Sequence, residues 1–185
     1  MNPTNYPTPI DGLIQEHKII ESMCKVVEKQ MRAIREGERI ALHFFEVVVD
    51  FFKTYGDSTH HGKEVILFSK LATKKLSPEH KRILDELVKE HILLRQLTAN
   101  LASANEKYLA GAIFSHQAIV DCIQQLLDLQ LPHMEKEEKH FFYPCLKYLT
   151  QEEQTLILRE FWEFDRLMIH EKYKQSVKTL EAESL

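Results

Sequence analysis

Two stretches of the chain place a histidine and a glutamate four residues apart. His60 precedes Glu64 and His133 precedes Glu137, and both stretches read His-x-x-Lys-Glu and lead into an apolar run. On a helix, residues four apart lie on one face. An imidazole or a carboxylate within an apolar face needs a partner, because burying either alone is costly. A metal ion is one such partner.

Further histidines occupy apolar helical stripes. His17 follows Leu13 and precedes Ile20 with the spacing of a helix, and His91 lies in a similar stripe. A single core histidine is more often bonded to a backbone carbonyl than to a metal. Here, however, four predicted helices each contribute an inward histidine, and two of these have a carboxylate one turn on. The set as a whole therefore favours metal binding.

The combination of residue types indicates which ions such a site would take. Imidazole nitrogen suits iron, copper, zinc and nickel, and a carboxylate can bridge two ions. Two bridging glutamates and several terminal histidines would hold two cations close together and leave a position open for a small ligand. Ferritin-like carboxylate sites instead use Glu-x-x-His with extra glutamates.

Some neighbouring residues leave alternatives open. The four-residue spacing favours His60 as the ligand, so His61 is expected behind the ligands or in solvent. Glu138 lies about 100° round the helix from Glu137 and is not expected to be a ligand. The remaining histidines without a partner at ligand spacing are expected on the surface or in loops: His43, His80, His116 and His140.

The elements that must position these side chains are all helical. Residues 1–10 read as a flexible lead-in, 11–149 as an up-down-up-down four-helix bundle, and 150–185 as a C-terminal helix packed on the same domain. The predicted helices cover about 11–36, 39–73, 77–105, 112–147 and 150–180.

Local signals place some of the helix boundaries. Asp11 is a predicted N-cap, Ser77 precedes a proline at a helix start, and Thr150 opens a capping box. Residues 55–57 are expected to kink the second helix. Pro132 is expected to bend the fourth helix beside His133.

Composition excludes several classes of function. The net charge of -4 offers no basic surface for nucleic acid. No apolar run approaches the ~18 residues of a membrane span, and the N-terminus does not read as a signal peptide. Three dispersed cysteines argue against a disulfide framework. These features predict a cytoplasmic protein that binds neither membrane nor nucleic acid.

The pattern resembles the hemerythrin-like proteins, or HHE cation-binding family, of the bacterial type. The resemblance rests on Glu16-His17, the two His-x-x-Lys-Glu stretches, and Glu90-His91 with Arg95. It implies a four-helix bundle with a non-haem di-iron centre bridged by Glu64 and Glu137. The terminal ligands that it implies are His17, His60, His91 and His133.

The sequence departs from the oxygen-carrying members of that family at one position. Those members have a second histidine four residues from the one on the third helix, where this chain has Leu87 and Arg95. The C-terminal His170-Glu-Lys-Tyr173 is similar to the last segment of bacterial members. His170 is therefore predicted to supply the missing ligand, the alternative being a surface histidine.

The resulting function hypotheses belong to different classes. The first is a di-iron protein that binds or senses a small molecule such as O2, NO or peroxide. The second is a di-iron enzyme, either peroxide-decomposing or an oxidase, for which Glu21 or Tyr173 is the candidate proton donor. The third is iron storage or a metal-stabilised structural bundle. Zinc is the alternative to the two iron ions, since it also accepts histidine and glutamate.

Overall fold

The structure is a computed structural model that describes residues 6–36, 42–112 and 115–183. Within these ranges the side chains at 42, 115, 116 and 169–183 are not described. The predicted end of the first helix near Glu36 is confirmed, since this helix ends at Arg35 with Glu36 as its C-cap. The predicted start of the second helix at Arg39 lies outside the described residues. The described residues also exclude residues 1–5 of the lead-in and the side chains of His116, His170 and Tyr173. The predictions for these residues are therefore not tested.

The described residues form helices and no strand, which confirms the all-α bundle. The first bundle helix is α1 (Pro9–Arg35). The second consists of α2 (Leu42–Asp50), a π-helical segment (Phe51–His61) and α3 (Gly62–Ala72). The third is α4 (Pro78–Leu109). The fourth consists of α5 (Ser115–Lys136), a shorter π-helical segment (Glu137–Phe141), α6 (Phe142–Cys145) and a 3-10 turn (Leu146–Tyr148). The fifth helix is α7 (Gln151–Glu183), which packs against α1 and α3.

The first helix starts earlier than predicted. Thr8 is its N-cap, and Pro9 takes the first helical position, where its missing N–H costs nothing. The Thr8 N–H donates to Asp11 Oδ2 at 2.8 Å, and the Asp11 N–H donates to Thr8 Oγ1 at 3.4 Å. The prediction of Asp11 as N-cap is therefore wrong: Asp11 is the third helical residue of a capping box.

The starts of α4 and α7 are confirmed. The His80 N–H donates to the Ser77 hydroxyl at 3.2 Å. Thr150 and Glu153 form the predicted capping box, with hydrogen bonds of 2.9 and 3.2 Å. The helix α4 continues to Leu109, and the turn that follows, with Gly111 at a φ of 92°, lies at the end of the region 105–111 in which a turn was predicted.

Two π-helical segments lie in the second and fourth bundle helices, the two helices in which bends were predicted. Residues 55–57, where a kink was predicted, lie inside Phe51–His61, and the chain stays helical there. The chain also stays helical through Pro132, and the α pattern changes only at Glu137. Both π-helical segments therefore adjoin a His-Glu pair, as π-bulges at functional sites often do.

The apolar core is divided into two clusters along the bundle. One contains Leu13, Leu67, Leu87 and Phe141, and the other contains Ile20, Leu101, Ile123 and Leu127. Along each bundle helix the histidines and glutamates predicted as ligands lie where one cluster gives way to the other. Among the described helices, none is long and apolar enough to cross a membrane.

Candidate metal centre

Six side chains predicted as ligands meet in the middle of the bundle. They come from all four bundle helices, and each is at most 4% exposed: His17, His60, Glu64, His91, His133 and Glu137. The four-residue spacing has the predicted effect. His60 Nε2 lies 3.1 Å from Glu64 Oε1, and His133 Nε2 lies 3.3 Å from Glu137 Oε1.

In each of the two glutamates, the two carboxylate oxygens point to opposite sides of the cluster. Glu64 Oε1 faces His60, whereas its Oε2 lies 3.1 Å from His91 Nε2. Glu137 Oε2 lies 3.4 Å from His17 Nε2, whereas its Oε1 faces His133. Each carboxylate thus spans the gap between two groups of histidines, which is the arrangement that a bridging carboxylate requires.

His61 belongs to the cluster, although the spacing argument placed it behind the ligands or in solvent. It is 2% exposed, and its ring stacks on that of His91 with 4.3 Å between the centroids. Ligand atoms of His61, Glu64, His91 and His133 lie within 4.8 Å of one another. The atoms of His17, His60, Glu64 and Glu137 form a second group of this kind. Two adjacent candidate cation sites therefore share Glu64.

The cluster contains buried polar atoms without a hydrogen-bond partner. They are the Nε2 atoms of His17 and His60, both ring nitrogens of His61, and both carboxylate oxygens of Glu64 and Glu137. Burying so many unsatisfied polar atoms is costly, and native cores contain few of them. Imidazole nitrogens and carboxylate oxygens are ligands for iron and zinc. The residues present therefore fit a pair of cations.

The protonation of the cluster follows from its two buried carboxylates. Burial alone would lower the pKa of His17 and His133, but the carboxylates outweigh this effect and raise the values to about 11 and about 10. The imidazoles in turn keep the pKa of Glu64 and Glu137 below the usual range, against the effect of burial. Burial lowers the pKa of His61 to about 4, so this imidazole is neutral.

A second layer of carboxylates lies behind the histidines. The Nδ1 atoms of His17, His60 and His133 lie 2.8–2.9 Å from carboxylate oxygens of Glu138, Glu16 and Glu90, respectively. His61 Nδ1 lies 3.6 Å from Asp57 Oδ1. A carboxylate at Nδ1 orients the ring and leaves Nε2 free to bind a metal. In three of the four pairs, the carboxylate comes from a different bundle helix than the histidine.

The lysine of each His-x-x-Lys-Glu stretch completes this layer. Lys63 pairs with Glu16, and Glu16 holds His60. In the same way Lys136 pairs with Glu90, which holds His133. Within each stretch, the histidine and the glutamate face the cluster, and the lysine fixes the carboxylate behind that histidine. The repeated motif is thus accounted for residue by residue.

Sequence reasoning missed most of this second layer. Glu138 was set aside as a ligand, and it does lie outside the cluster, with its side chain 43% exposed, but it contacts His17. The available signals were the glutamates that directly precede His17 and His91. Each of them contacts a histidine of a neighbouring helix, which sequence spacing cannot reveal.

The other histidines follow the predictions in part. His43 and His140 are exposed as expected. His80, expected on the surface or in a loop, is buried, and its Nδ1 lies 2.8 Å from the Tyr148 hydroxyl. Glu21, a candidate proton donor, is half exposed and pairs with Lys25 at 2.8 Å.

Two grooves lead from the surface to the cluster. One, of about 340 Å³, lies between α3 and α4, has largely apolar walls that include Val65, Phe68 and Val88, and reaches His91. The other, of about 300 Å³, lies between α1 and the fourth bundle helix. It has charged walls and reaches His17 beside Glu138. An apolar and a charged groove therefore each end at one histidine of the cluster, and these histidines are themselves 4% and 2% exposed.

A four-helix bundle with histidines and carboxylates converging at its centre defines a helical protein of the metal-binding class. Residues 8–145 match the model of the hemerythrin HHE cation-binding domain, so the chain belongs to this family. The matched segment contains both His-x-x-Lys-Glu stretches and all the clustered side chains. No curated protein and no solved structure matches the chain significantly.

Proposed function

We propose that the protein holds two iron ions without haem and binds a small molecule such as O2, NO or peroxide at them. The observation that carries the proposal is the pair of buried glutamates, each with one oxygen toward either group of histidines. A carboxylate with one oxygen toward each group of histidines can bind a cation in each group, so this arrangement favours two cations over one. When bound, an iron pair supplies redox chemistry and an open coordination position.

The residues of the chain account for the rest of the centre. His17, His60 and Glu64, with Glu137, would hold one ion, and His61, His91 and His133, with the same glutamates, would hold the other. The outer carboxylates orient the rings, and an apolar cluster lies on either side of the centre along the bundle. His170 stays a predicted additional ligand. His61, however, already offers a nitrogen on the side of His91, where the sequence left a position open.

The apolar groove and the surface pairing of one candidate acid support small-molecule binding. Glu21, one of two candidate proton donors, is paired with Lys25 at the surface. The apolar groove that reaches His91 would admit a small neutral molecule such as O2 or NO. The three cysteines are unpaired, which fits a reducing compartment, and we propose a cytoplasmic location.

Metal content and the visible spectrum test this proposal. Protein produced in iron-rich medium is expected to contain about two iron ions per chain, because two bridging carboxylates need two ions. The iron(II) form should change colour on exposure to oxygen. Glu64→Gln should lose iron, and His43→Gln, at a side chain 82% exposed, should retain it. A colourless protein that carries zinc, or one ion per chain at full occupancy, would contradict the di-iron assignment.

A further inference from the structure

Lys63 is a buried lysine at the point where three helices meet. It is only 4% exposed, and its ammonium group contacts Glu16 of α1 and Asp165 of α7, the latter with both oxygens at 3.0–3.1 Å. A lysine is almost never fully buried unless it is paired. Glu16 and Asp165 both compensate this buried charge, and replacing either one removes one of its two carboxylate partners.

The same glutamate connects this group to the metal centre. Glu16 Oε1 accepts from Lys63, and Glu16 Oε2 lies 2.9 Å from His60 Nδ1. The opposite ring nitrogen of His60 faces Glu64 in the cluster. An unbroken chain of polar contacts therefore runs from Asp165 through Lys63 and Glu16 to His60.

Gly62 allows α7 to come close at this point. A Cβ atom on Gly62 would lie 2.4 Å from Cζ of Phe164, the residue next to Asp165. The glycine stands between His61 and Lys63, inside the His-x-x-Lys-Glu stretch. The fifth helix is thus fitted against the ligand-bearing turn itself, and not only against the outside of the bundle.

Among the side chains that the structure describes, the other half of the centre lacks this connection. Lys136 pairs with Glu90 and, at 3.4 Å, with Glu86, but both glutamates belong to α4, and its side chain is more exposed, at 27%. The contact chain that ends at His133 therefore stays within the four-helix bundle. The contact chain behind His60 includes the fifth helix and the one behind His133 does not, so the two can be compared within one protein.

We propose that Asp165 and Lys63 are positioning residues for His60, so that docking of α7 sets how firmly the cation beside His17 and His60 is held. The inference rests on the proposed cation pair but not on its being iron. Because coupling between two equilibria is reciprocal, binding of that cation in turn stabilises the docked α7.

Release of zinc from the loaded protein tests the proposal. Asp165→Asn should accelerate release of one of the two ions to a chromogenic chelator by about tenfold, the low end for partners behind a metal ligand. Asp165→Glu should restore slow release. Glu160→Gln is the matched control: Glu160 also lies on α7, pairs with Lys70 of α3 at 3.7 Å, and is as exposed as Asp165, at 46% against 43%. Equal release from Asp165→Asn and Glu160→Gln, or equal acceleration of both ions, would overturn the proposal.

Hydrogen exchange of the unsubstituted protein gives an independent readout. Amides of α7 within residues 151–168 should exchange more slowly after loading with zinc, and Asp165→Asn should abolish this difference. If Asp165→Asn does not fold, hydrogen exchange of the unsubstituted protein still tests the proposal. Exchange of α7 that does not change on loading with zinc would refute the coupling between cation binding and docking of α7. Failure of the unsubstituted protein to bind zinc would instead count against the proposed cation pair itself.

Discussion

Replacing His61 by leucine should have opposite effects on the metal-free and the loaded protein. In the metal-free protein His61 is a buried neutral imidazole, and both of its nitrogens lack a hydrogen bond. An unsatisfied buried polar group costs about 1–3 kcal/mol, and leucine fills a similar volume without polar atoms. We expect a gain of about 2 kcal/mol, which for a chain of this size raises Tm by about 4–8 °C.

In the loaded protein the same substitution removes a ligand of one ion. A tenfold loss of affinity for that ion lowers the stabilisation by binding by about 1.4 kcal/mol, so the rise in Tm on loading should shrink by about 3–6 °C. Calorimetric melting of the metal-free and the zinc-loaded forms measures both effects. His43→Leu, at an exposed position, is the control and should change neither.

One result would refute the reasoning about His61. If His61→Leu lowers the Tm of the metal-free protein and leaves the zinc-induced rise intact, the imidazole contributes packing and not coordination. The ring stack with His91 would then be its role. If His61 is a metal ligand, His61→Leu should raise the Tm of the metal-free protein and reduce the rise in Tm on loading with zinc.

Three further predictions concern access, protons and thiols. Val88→Trp should slow oxidation of the iron(II) form by dissolved oxygen severalfold, because it fills the groove to His91. Val47→Trp is the control and should leave the oxidation rate unchanged, since Val47 lies outside the groove and is 42% exposed, against 44% for Val88. Equal oxidation rates in the two variants would exclude the groove as the route of oxygen. Loading with zinc at pH 7 should release protons, because pKa values of about 11 and about 10 keep His17 and His133 protonated without metal. Zinc binding should therefore weaken as pH falls. A binding enthalpy that does not depend on the ionisation enthalpy of the buffer would contradict this prediction. Cys122 should be alkylated before the other two thiols, which are buried, as peptide mapping by mass spectrometry can check.

The fold and six of the clustered side chains could be predicted from the sequence because helical periodicity encodes them directly. A histidine in an apolar stripe, such as His17 or His91, must face the core of a bundle. A pair such as His60 and Glu64 must share a helix face. These inferences need only the geometry of a single helix.

The remaining parts of the centre depend on geometry that spacing does not determine. His61 was placed behind the ligands or in solvent because the four-residue spacing to Glu64 favoured His60 as the inward residue. The chain is π-helical up to that residue, and both histidines face inward. Glu16 and Glu90 were visible beside histidines, but their contacts cross between helices and depend on the vertical register of the bundle.

The pairing of each lysine with the carboxylate behind its own histidine also bears on the history of the chain. Glu16, His17, His60, Lys63 and Glu64 recur 73 or 74 positions later as Glu90, His91, His133, Lys136 and Glu137, and the recurring residues make the same contacts. Such repetition of sequence and contact together is the pattern that duplication of a helical hairpin would leave. Superposition of α1–α3 on α4–α6 should then bring these five pairs into register, and a mismatch would argue for convergence instead. The fifth helix has no counterpart in this repeat, so the two halves of the candidate centre differ in what packs behind them.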